Sequence, residues 1–425
     1  MRPKNLICLT AFALAGCAQE TDLAPPPPGK PVVGQIVVDS DNPRWFRFHE
    51  GGPFFMCGPG DPEGFLYRGD LNPDGTRDGD QLELIRKLAP TGANSIYLMA
   101  VRSHGGDGDA TQNPFVDHKP RKGLNEKVLD QWETWFSEMD RNGIVIFLFL
   151  YDDSARIWNT GKRVKAAESD FIHQLVDRFE HHKHLIWVVG EEYSERYHPI
   201  RVSRIAREIR AADDHDHPIA VHKLHGLDFA EFAEDPYVDQ FAIQFNVPTA
   251  AELHEAVLEA RGRAGGDFNL NLAEASNWGT AEEARQKIWS VAMAGAYVMA
   301  YEMDIASTSK RDLEDCGRLV RFMQNTEFSS MEPRDELATG DTLYVMAKEG
   351  NSYIAYSPTA RDSMGVKKLT PGSYELRWMD VADGLEVTQV VDLQEFGEVT
   401  WAIPGGLGTE VVLHLQRLGP PSHGS

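Results

Sequence analysis

The sequence contains no long apolar run and has few basic residues. No run of roughly 18 or more apolar residues occurs, which excludes a protein with several membrane spans. Lys and Arg number 42 against 65 Asp and Glu, so the formal net charge is −23. Such a surface repels phosphate groups, so we expect no nucleic-acid partner. Hydrophobic residues make up 42% of the chain, which excludes disorder over most of its length.

The amino terminus has the layout of an export signal. Arg2 and Lys4 precede an apolar stretch at 6–15 that is too short to span a bilayer. The letters LAGC that end at Cys17 resemble the lipobox of bacterial lipoproteins. The resemblance implies removal of residues 1–16, lipidation of Cys17 and attachment to the outer membrane of a bacterial cell envelope. The alternative is an ordinary secretory signal followed by a chance cysteine.

The segment after the signal is rich in proline, and the mature chain has few cysteines. Residues 17–31 contain four consecutive prolines and predict a stiff tether. Once Cys17 carries lipid, only Cys57 and Cys316 remain in the mature chain, too few for a disulfide framework. Both lie in apolar patterns and are expected to be buried free thiols, with a single bridge between them as the alternative.

Hydrophobic patterns alternate between two periods from residue 53 onward. Eight apolar segments predict buried strands at 53–58, 94–100, 143–150, 184–190, 218–222, 239–245, 268–274 and 296–302. Seven amphipathic segments predict helices at 79–90, 125–142, 165–181, 199–212, 250–262, 280–294 and 310–325, and a short helix at 227–234 follows the fifth strand. This order predicts an α/β fold, a (β/α)8 TIM barrel. A doubly wound open sheet is the alternative.

The pattern changes to short alternating strands near residue 334. We expect residues 32–333 to form the barrel with a two-stranded lead-in, and 334–417 to form a small all-β sandwich domain. Residues 418–425, rich in Ser, Gly and Pro, are expected to be a disordered tail.

Carboxylates end the fourth and seventh predicted strands. Glu191 and Glu192 follow the fourth strand, and Glu274 ends the seventh. Active sites of such barrels lie at the carboxyl ends of the strands. Glycoside hydrolysis needs two carboxyl groups flanking the scissile bond, one protonated and one ionised. The sequence therefore predicts a glycosidase with Glu192 and Glu274 as the catalytic pair. Solvated rim carboxylates are the alternative interpretation.

The chain resembles a family of glycoside hydrolases. LIWVVGEEY and NLAEASNW look like the strand-four and strand-seven segments of clan-A (β/α)8 enzymes. With FHEGGPFFMCG and YELRWMDVADG they resemble the apiosidase-like type that carries a C-terminal collagen-binding-type domain. The resemblance implies that Glu192 is the acid/base and Glu274 the nucleophile of a retaining mechanism. Glu191 stands where this clan usually has Asn, which leaves open whether Glu191 or Glu192 is the acid.

Further polar and aromatic residues at the strand ends are candidates for binding sugar. Trp278 and Tyr193, like Trp158 and Phe245, offer faces on which sugar rings stack. The remaining candidates, which would bind hydroxyl or acidic groups, are Arg102, His104, Asp152, Asp153, His222, His225, Asn246 and Glu302. Each has ordinary rim packing or local hydrogen bonding as its alternative role.

Two segments have the spacing of metal ligands. Asp70, Asn72, Asp74 and Asp78 match the first half of a calcium loop, but position twelve is Gln81, so an acidic turn is the alternative. His181, His182 and His184 precede the fourth strand and are expected to be surface histidines away from the chemistry. No cofactor is expected beyond this structural calcium.

The expected function is hydrolysis of glycosidic bonds in plant or algal polysaccharides or oligosaccharides. The partners would be a carbohydrate substrate and, through the lipid on Cys17, a membrane. Two further functions stay open, namely a non-catalytic surface glycan-binding lipoprotein and a polysaccharide lyase. The sequence leaves the sugar, the linkage and the oligomeric state undetermined.

Overall fold

The computed structural model describes residues 29–419, apart from 61–63, 159, 248, 266–267, 276 and 301. The predicted signal peptide, Cys17 and residues 420–425 lie outside the described residues. Among the described residues, no helix combines the length and apolar content that a membrane span requires.

Two short hairpins and eight parallel strands make up the first part of the chain. The lead-in hairpin is β1 (Ile36–Val38) with β2 (Phe46–Phe48), and a second hairpin is β4 (Asp70–Leu71) with β5 (Arg77–Asp78). The eight parallel strands are β3 (Cys57–Pro59), β6 (Ser95–Met99), β7 (Val145–Phe149), β8 (Leu185–Val188), β9 (Ile219–His222), β10 (Gln240–Gln244), β11 (Asn269–Glu274) and β12 (Tyr297–Ala300). The strands β6 to β12 pair with their neighbours in chain order, and β12 also pairs with β3. Seven predicted strands coincide with observed ones, whereas the first is displaced, since β3 is Cys57–Pro59 and the prediction is 53–58.

Within the described part of the chain, seven α-helices surround these strands. They are α1 (Gln81–Leu88), α2 (Glu126–Arg141), α3 (Ala166–Phe179), α4 (Pro199–Ala212), α5 (Ala250–Arg263), α6 (Ala281–Met293) and α7 (Lys310–Gln324). Asn125, Thr249 and Ser309 cap α2, α5 and α7, each side chain accepting a hydrogen bond from a first-turn N–H. After β9 a single 3₁₀ turn, Ala230–Phe232, stands where the short helix was predicted.

Side-chain hydrogen bonds close the barrel between its first two strands. The Asn94 side chain accepts from the Cys57 N–H at 2.9 Å and donates to the Phe55 carbonyl at 2.8 Å. Gly58 lets the backbones approach, since a Cβ there would lie 2.7 Å from the Ser95 backbone nitrogen. The (β/α)8 barrel is thus confirmed, and the doubly wound alternative is excluded.

The C-terminal region is antiparallel throughout. Its strands are β13 (Glu332–Pro333), β14 (Ala338–Gly340), β15 (Tyr344–Lys348), β16 (Ser352–Ser357), β17 (Ser363–Leu369), β18 (Gly372–Asp380), β19 (Glu386–Leu393), β20 (Gly397–Ala402) and β21 (Val411–Gly419). Six of them pair in the order β13-β15-β16-β21-β18-β19, and β14-β17-β20 form a second sheet. A separate core that includes Tyr353, Tyr374 and Trp378 lies between the sheets. The predicted tail is 418–425, but β21 continues to Gly419. Gly419 is held in the sheet by its pairing with Ser373 of β18.

The all-β region packs against the barrel helices through aromatic and charged contacts. Trp289 of α6 stacks on Tyr356 with ring centroids 5.4 Å apart. Arg285, also on α6, makes a buried ion pair with Glu410 at 2.7 Å. These contacts tie the all-β region to α6. Cys57 and Cys316 are buried and free, as predicted.

Candidate active site

The mouth of the barrel brings Glu191 and Glu274 side by side. One oxygen of each carboxylate and one ring nitrogen of His222 lie within 4.8 Å of one another. Glu191 is 5% exposed and Glu274 is 9% exposed, while His222 is fully buried. We call these three residues the mouth cluster. Two carboxylates held this close in a largely buried position can share the work of a proton donor and an ionised group.

Glu191 is positioned from two neighbouring strands. It follows β8, and its backbone N–H donates to the Tyr151 carbonyl beyond β7 at 2.9 Å. The Tyr97 hydroxyl on β6 donates to Glu191 Oε1 at 2.8 Å. Tyr97 packs its ring 4.3 Å from that of Phe149, measured between centroids, so the hydroxyl has a fixed direction. The Glu191 carboxylate is therefore aimed across the mouth.

Glu274 is held by the two strands that precede it in the barrel. It ends β11 beside a register shift in β10, which sets Gln244 opposite it. The Gln244 side-chain amide donates to Glu274 Oε1 at 2.6 Å. His222 Nε2, at the end of β9, lies 3.7 Å from Glu274 Oε2. Gln244 therefore hydrogen-bonds one oxygen of the carboxylate, and the His222 ring faces the other oxygen at a distance longer than a hydrogen bond.

The tautomer of His222 is set by its second nitrogen. His222 Nδ1 accepts the backbone N–H of Glu192 at 3.1 Å, so the proton of a neutral ring is on Nε2. Burial lowers the pKa of His222 to about 3, which keeps the ring neutral at physiological pH. His222 therefore points a neutral N–H toward Glu274, at a distance longer than a hydrogen bond, and does not act as a titrating base.

Glu192 lies in a different cluster from its neighbour Glu191. Its backbone is left-handed, with φ 38° and ψ 44°, and its carboxylate comes within 4.8 Å of those of Asp153 and Glu195. We call these three residues the rim cluster. Burial, followed by the charges of Asp107, Asp152 and Glu195, raises the pKa of Asp153 to about 7. The structure thus places Glu191, rather than Glu192, beside Glu274.

Other predicted binding residues surround the mouth in fixed positions. Arg102 and Asp152 form a buried ion pair at 2.9 Å. His104 has a positive φ of 68°, and its Nδ1 lies 2.6 Å from Ser103 Oγ. Partial burial lowers the pKa of His104 and favours its neutral form. On this side of the mouth, the Arg102 cation is therefore already paired with Asp152, and His104 presents a neutral imidazole.

The predicted stacking residues Tyr193 and Trp278 are both buried. The Tyr193 hydroxyl donates to Glu231, and its ring packs edge-on against Phe232. Trp278 is 1% exposed, and its backbone N–H donates to Glu302 Oε2 at 3.2 Å. Neither ring offers an open face, so their contribution here is to shape the loops rather than to stack on a sugar.

The remaining predicted residues lie nearer solvent. The His225 backbone N–H donates to the Gln244 side-chain oxygen at 3.1 Å, which orients the amide toward Glu274. Asn246 and Glu302 are exposed. Phe245 is half-buried, and its N–H donates to the Glu274 carbonyl at 3.0 Å.

A cavity of about 670 Å³ opens beside the mouth, between the loops that follow β6 and β7. Its apolar wall includes Phe115, Leu124, Trp158 and Phe171, and His104 lies at its edge. The Trp158 ring is partly exposed, unlike the rings of Tyr193 and Trp278. Trp158 is thus the predicted stacking residue whose ring borders open space.

The predicted calcium segment forms a hairpin turn between β4 and β5. Asp70 pairs with Asp78, and the Asn72 N–H donates to the Thr76 carbonyl at 2.9 Å. Asp74 accepts from the Thr76 hydroxyl at 2.7 Å and pairs with Lys127. The structure accounts for this segment as an acidic turn, and calcium binding stays an untested prediction.

Tyr97 is a residue of the mouth that the sequence patterns do not single out. It lies inside the apolar segment SIYLM, whose hydrophobic periodicity does not show that the Tyr97 hydroxyl reaches the centre of the barrel. A polar aromatic in the middle of a fully buried strand is the signal that points to such a role.

Comparison with known proteins agrees with this geometry. Residues 40–303 match the family model described as Apiosidase-like, catalytic domain. A solved structure entitled "Glycoside hydrolase" superimposes with a TM-score of 0.69 at 15% identity, covering 92% of this chain and 99% of that one. A family 5 glycoside hydrolase from Bacteroides vulgatus does so with a TM-score of 0.69 at 14% identity, covering 91% and 95%. No curated protein sequence matches the chain at a significant level.

The fold and the paired carboxylates together define a glycoside hydrolase of the (β/α)8 class. Within that class, the chain belongs to the Apiosidase-like catalytic domain family, whose model covers more than half of its length.

Proposed function

We propose that this glycoside hydrolase cleaves a plant or algal polysaccharide, or oligosaccharides derived from one, with retention of configuration. The observation that carries the proposal is the approach of Glu191 and Glu274 to within 4.8 Å at the mouth. Carboxyl groups are roughly 5–5.5 Å apart in retaining enzymes and roughly 6.5–9.5 Å apart in inverting ones. The close approach of one oxygen from each carboxylate therefore favours the retaining arrangement over the inverting one.

Glu274 is the nucleophile in this proposal. Gln244 donates to one of its oxygens and His222 faces the other, so its negative charge is stabilised before substrate arrives. Glu274 attacks the anomeric carbon, and the glycosidic C–O bond breaks as Glu191 gives its proton to the leaving oxygen. The product of this step is a covalent glycosyl ester of Glu274.

Glu191 is the acid and then the base. The negative charge of Glu274 favours the protonated form of Glu191 while the nucleophile is ionised. Once the ester forms, that charge is gone, and Glu191 can take a proton from water. The water oxygen then displaces Glu274 from the anomeric carbon. The Tyr97 hydroxyl holds Glu191 in place through both steps. No step in this sequence requires a cofactor.

The test is a screen of the chain against aryl glycosides and plant and algal polysaccharides, beside Glu274→Gln. The family name makes apiosides the first substrates to try. Wild-type turnover that Glu274→Gln lacks would support the proposal, and the productive substrate would identify the sugar. Glycan binding without turnover on any substrate would instead favour the non-catalytic alternative.

Azide distinguishes the two roles. In Glu191→Ala, azide should restore turnover of a substrate with a good leaving group. The product should be a glycosyl azide of retained configuration. In Glu274→Ala, azide should yield the inverted product. The reverse pattern would exchange the roles of Glu191 and Glu274.

We further propose that the enzyme is anchored to the outer membrane through Cys17. The proposal rests on the LAGC sequence and the proline-rich segment after it. Expression in a Gram-negative host should place the wild type in the membrane fraction, with a lipid mass on its first residue. Cys17→Ala should abolish that mass, and an unlipidated wild type would overturn the proposal.

A further inference from the structure

A second group of metal-ligand side chains lies at the opposite end of the barrel from the mouth cluster. Glu133 is on α2, and His181 and His182 are in the turn between α3 and β8. One ligand atom of each lies within 4.8 Å of the others. This turn precedes the amino end of β8, whereas Glu191 follows its carboxyl end. The group therefore takes no part in the chemistry of the mouth.

The distances within this group suit one metal ion. The Nε2 atoms of His181 and His182 lie 3.1 Å and 3.4 Å from Glu133 Oε1. Zn²⁺ binds His nitrogen and carboxylate oxygen at about 2.0–2.2 Å, so two tetrahedral ligands of one ion are about 3.3 Å apart. The atoms that would touch an ion are therefore already near their ligand spacing.

The buried histidine of the group is aimed inward without a hydrogen bond. The sequence predicts a surface histidine here, but His182 is buried at 2% exposure because Phe136 and Phe179 pack against its ring. Its Nε2 has no hydrogen-bond partner among the described residues. Glu133 Oε2 is buried and likewise lacks a partner within the described part of the chain. A buried polar atom left in this way costs free energy unless something binds it. His182 Nε2 is also one of the two ring nitrogens that lie close to Glu133 Oε1.

The ring of His182 is held in place by its neighbours. Phe136 and Phe179 pack against it, with ring centroids 6.0 Å and 6.4 Å away. The His182 backbone carbonyl accepts from His217 at 2.9 Å, which fixes the turn from the other side. The side chain therefore has a fixed position, with its Nε2 3.4 Å from Glu133 Oε1.

We propose that Glu133, His181 and His182 bind a divalent transition-metal ion of the zinc class, with water completing the coordination. Imidazole and carboxylate ligands in this number suit Zn²⁺, Ni²⁺ or Co²⁺ better than Ca²⁺, which prefers oxygen. The ion would join α2 to the turn before β8. Its role is therefore structural, stabilising the amino end of the barrel.

The experiment titrates the full chain with Zn²⁺ by calorimetry and with Co²⁺ by absorbance. We expect one equivalent to bind in the micromolar range, Co²⁺ to show visible bands of a low-coordinate site, and Zn²⁺ to raise the Tm. Glu133→Gln and His181→Ala should each weaken binding by about 10–100-fold. Both positions are partly exposed, so neither change should prevent folding.

Two controls separate this site from other groups. His173→Ala removes an exposed histidine that pairs with Glu208 at 3.3 Å and should leave binding unchanged. Glu274→Gln disrupts the mouth cluster, which also contains a histidine and two carboxylates, and should leave it unchanged too. Binding that survives both Glu133→Gln and His181→Ala, or no binding by the wild type, would overturn the proposal.

Discussion

The two ends of the barrel treat acidic residues in opposite ways. At the amino end, carboxylates meet cations or histidines: Asp213 lies 3.1 Å from His217, Asp140 lies 2.7 Å from His184, and Asp239 lies 2.7 Å from Arg210. At the carboxyl end, Asp152 pairs with Arg102, but the carboxylates of the mouth and rim clusters gather with one another. Opposite charges in contact stabilise the fold, whereas like charges in contact cost stability and are found where chemistry needs them.

The contrast extends to two consecutive residues. Glu191 enters the mouth cluster and Glu192 enters the rim cluster, although both follow the same strand. The mouth cluster is nearly buried and the rim cluster is half-buried. Burial and the approach of two carboxylates make the mouth cluster the catalytic candidate.

The largest expected effect separates these two glutamates. Glu191→Gln should lower kcat by about 10²–10⁴-fold, the usual contribution of a general acid or base. Glu192→Gln should change kcat by less than about threefold, as for most substitutions outside such a cluster. The measurement is steady-state kinetics on the substrate found in the screen. Equal losses of kcat in both variants would contradict the assignment of catalysis to the mouth cluster alone.

The next effect lies at the amino end and concerns stability. Asp213→Asn breaks a buried pair with His217 and should lower the free energy of unfolding by about 3–5 kcal/mol, with kcat unchanged. Asp130→Asn, which breaks the exposed pair with Arg178, should cost about 0–1 kcal/mol. Urea unfolding of both variants measures the difference. If both variants lost a similar free energy of unfolding, burial of the Asp213–His217 pair would add nothing to its stabilising effect.

The pH dependence of the Asp213 pair has a definite sign. Burial alone would raise the pKa of Asp213, but hydrogen bonds from His217 and from the backbone lower it to about 2. This pKa lies below the unfolded value of about 3.9. The ionised Asp213 therefore stabilises the folded protein fully at pH values above about 3.9. It is lost as the pH falls from about 4 through 2. The gap between wild type and Asp213→Asn should narrow over that range.

The smallest effect lies in the rim cluster and has the opposite sign. The pKa of Asp153, raised to about 7, exceeds its unfolded value, so the folded protein binds the proton more tightly. Stability therefore falls as the pH rises from about 4 to 7. Asp153→Asn should remove this slope and raise the Tm at pH 8 by about 1–2 °C, since the group is only half-buried. An unchanged slope would show that the crowding of carboxylates is relieved by solvent.

Much of the architecture was predictable because it depends on periodicity. Apolar segments such as GIVIFLFL and HLIWVVG fall on β7 and β8, since strands buried on both faces need continuous apolar sequence. The helices follow their amphipathic segments for the same reason. The carboxylates at strand ends followed from the topology of the barrel, which fixes the end that holds the chemistry.

The assignment within the site was less predictable. Side chains alternate between faces only within a strand, and β8 ends at Val188, before either glutamate. Beyond that point the left-handed backbone at Glu192 decides which carboxylate enters the mouth. Tyr97 and the turn that brings His181 and His182 to Glu133 likewise depend on contacts between distant segments.

The sequence by itself determined the order of strands and helices, the all-β region after the barrel and the strand ends that carry acids. These features depend on local hydrophobic period and on the connectivity of parallel strands. Only the tertiary structure decided that Glu191 pairs with Glu274, that Gln244 and His222 support the pair, and that Glu192 turns to the rim. These choices depend on backbone angles beyond the strands, which hydrophobic period does not encode.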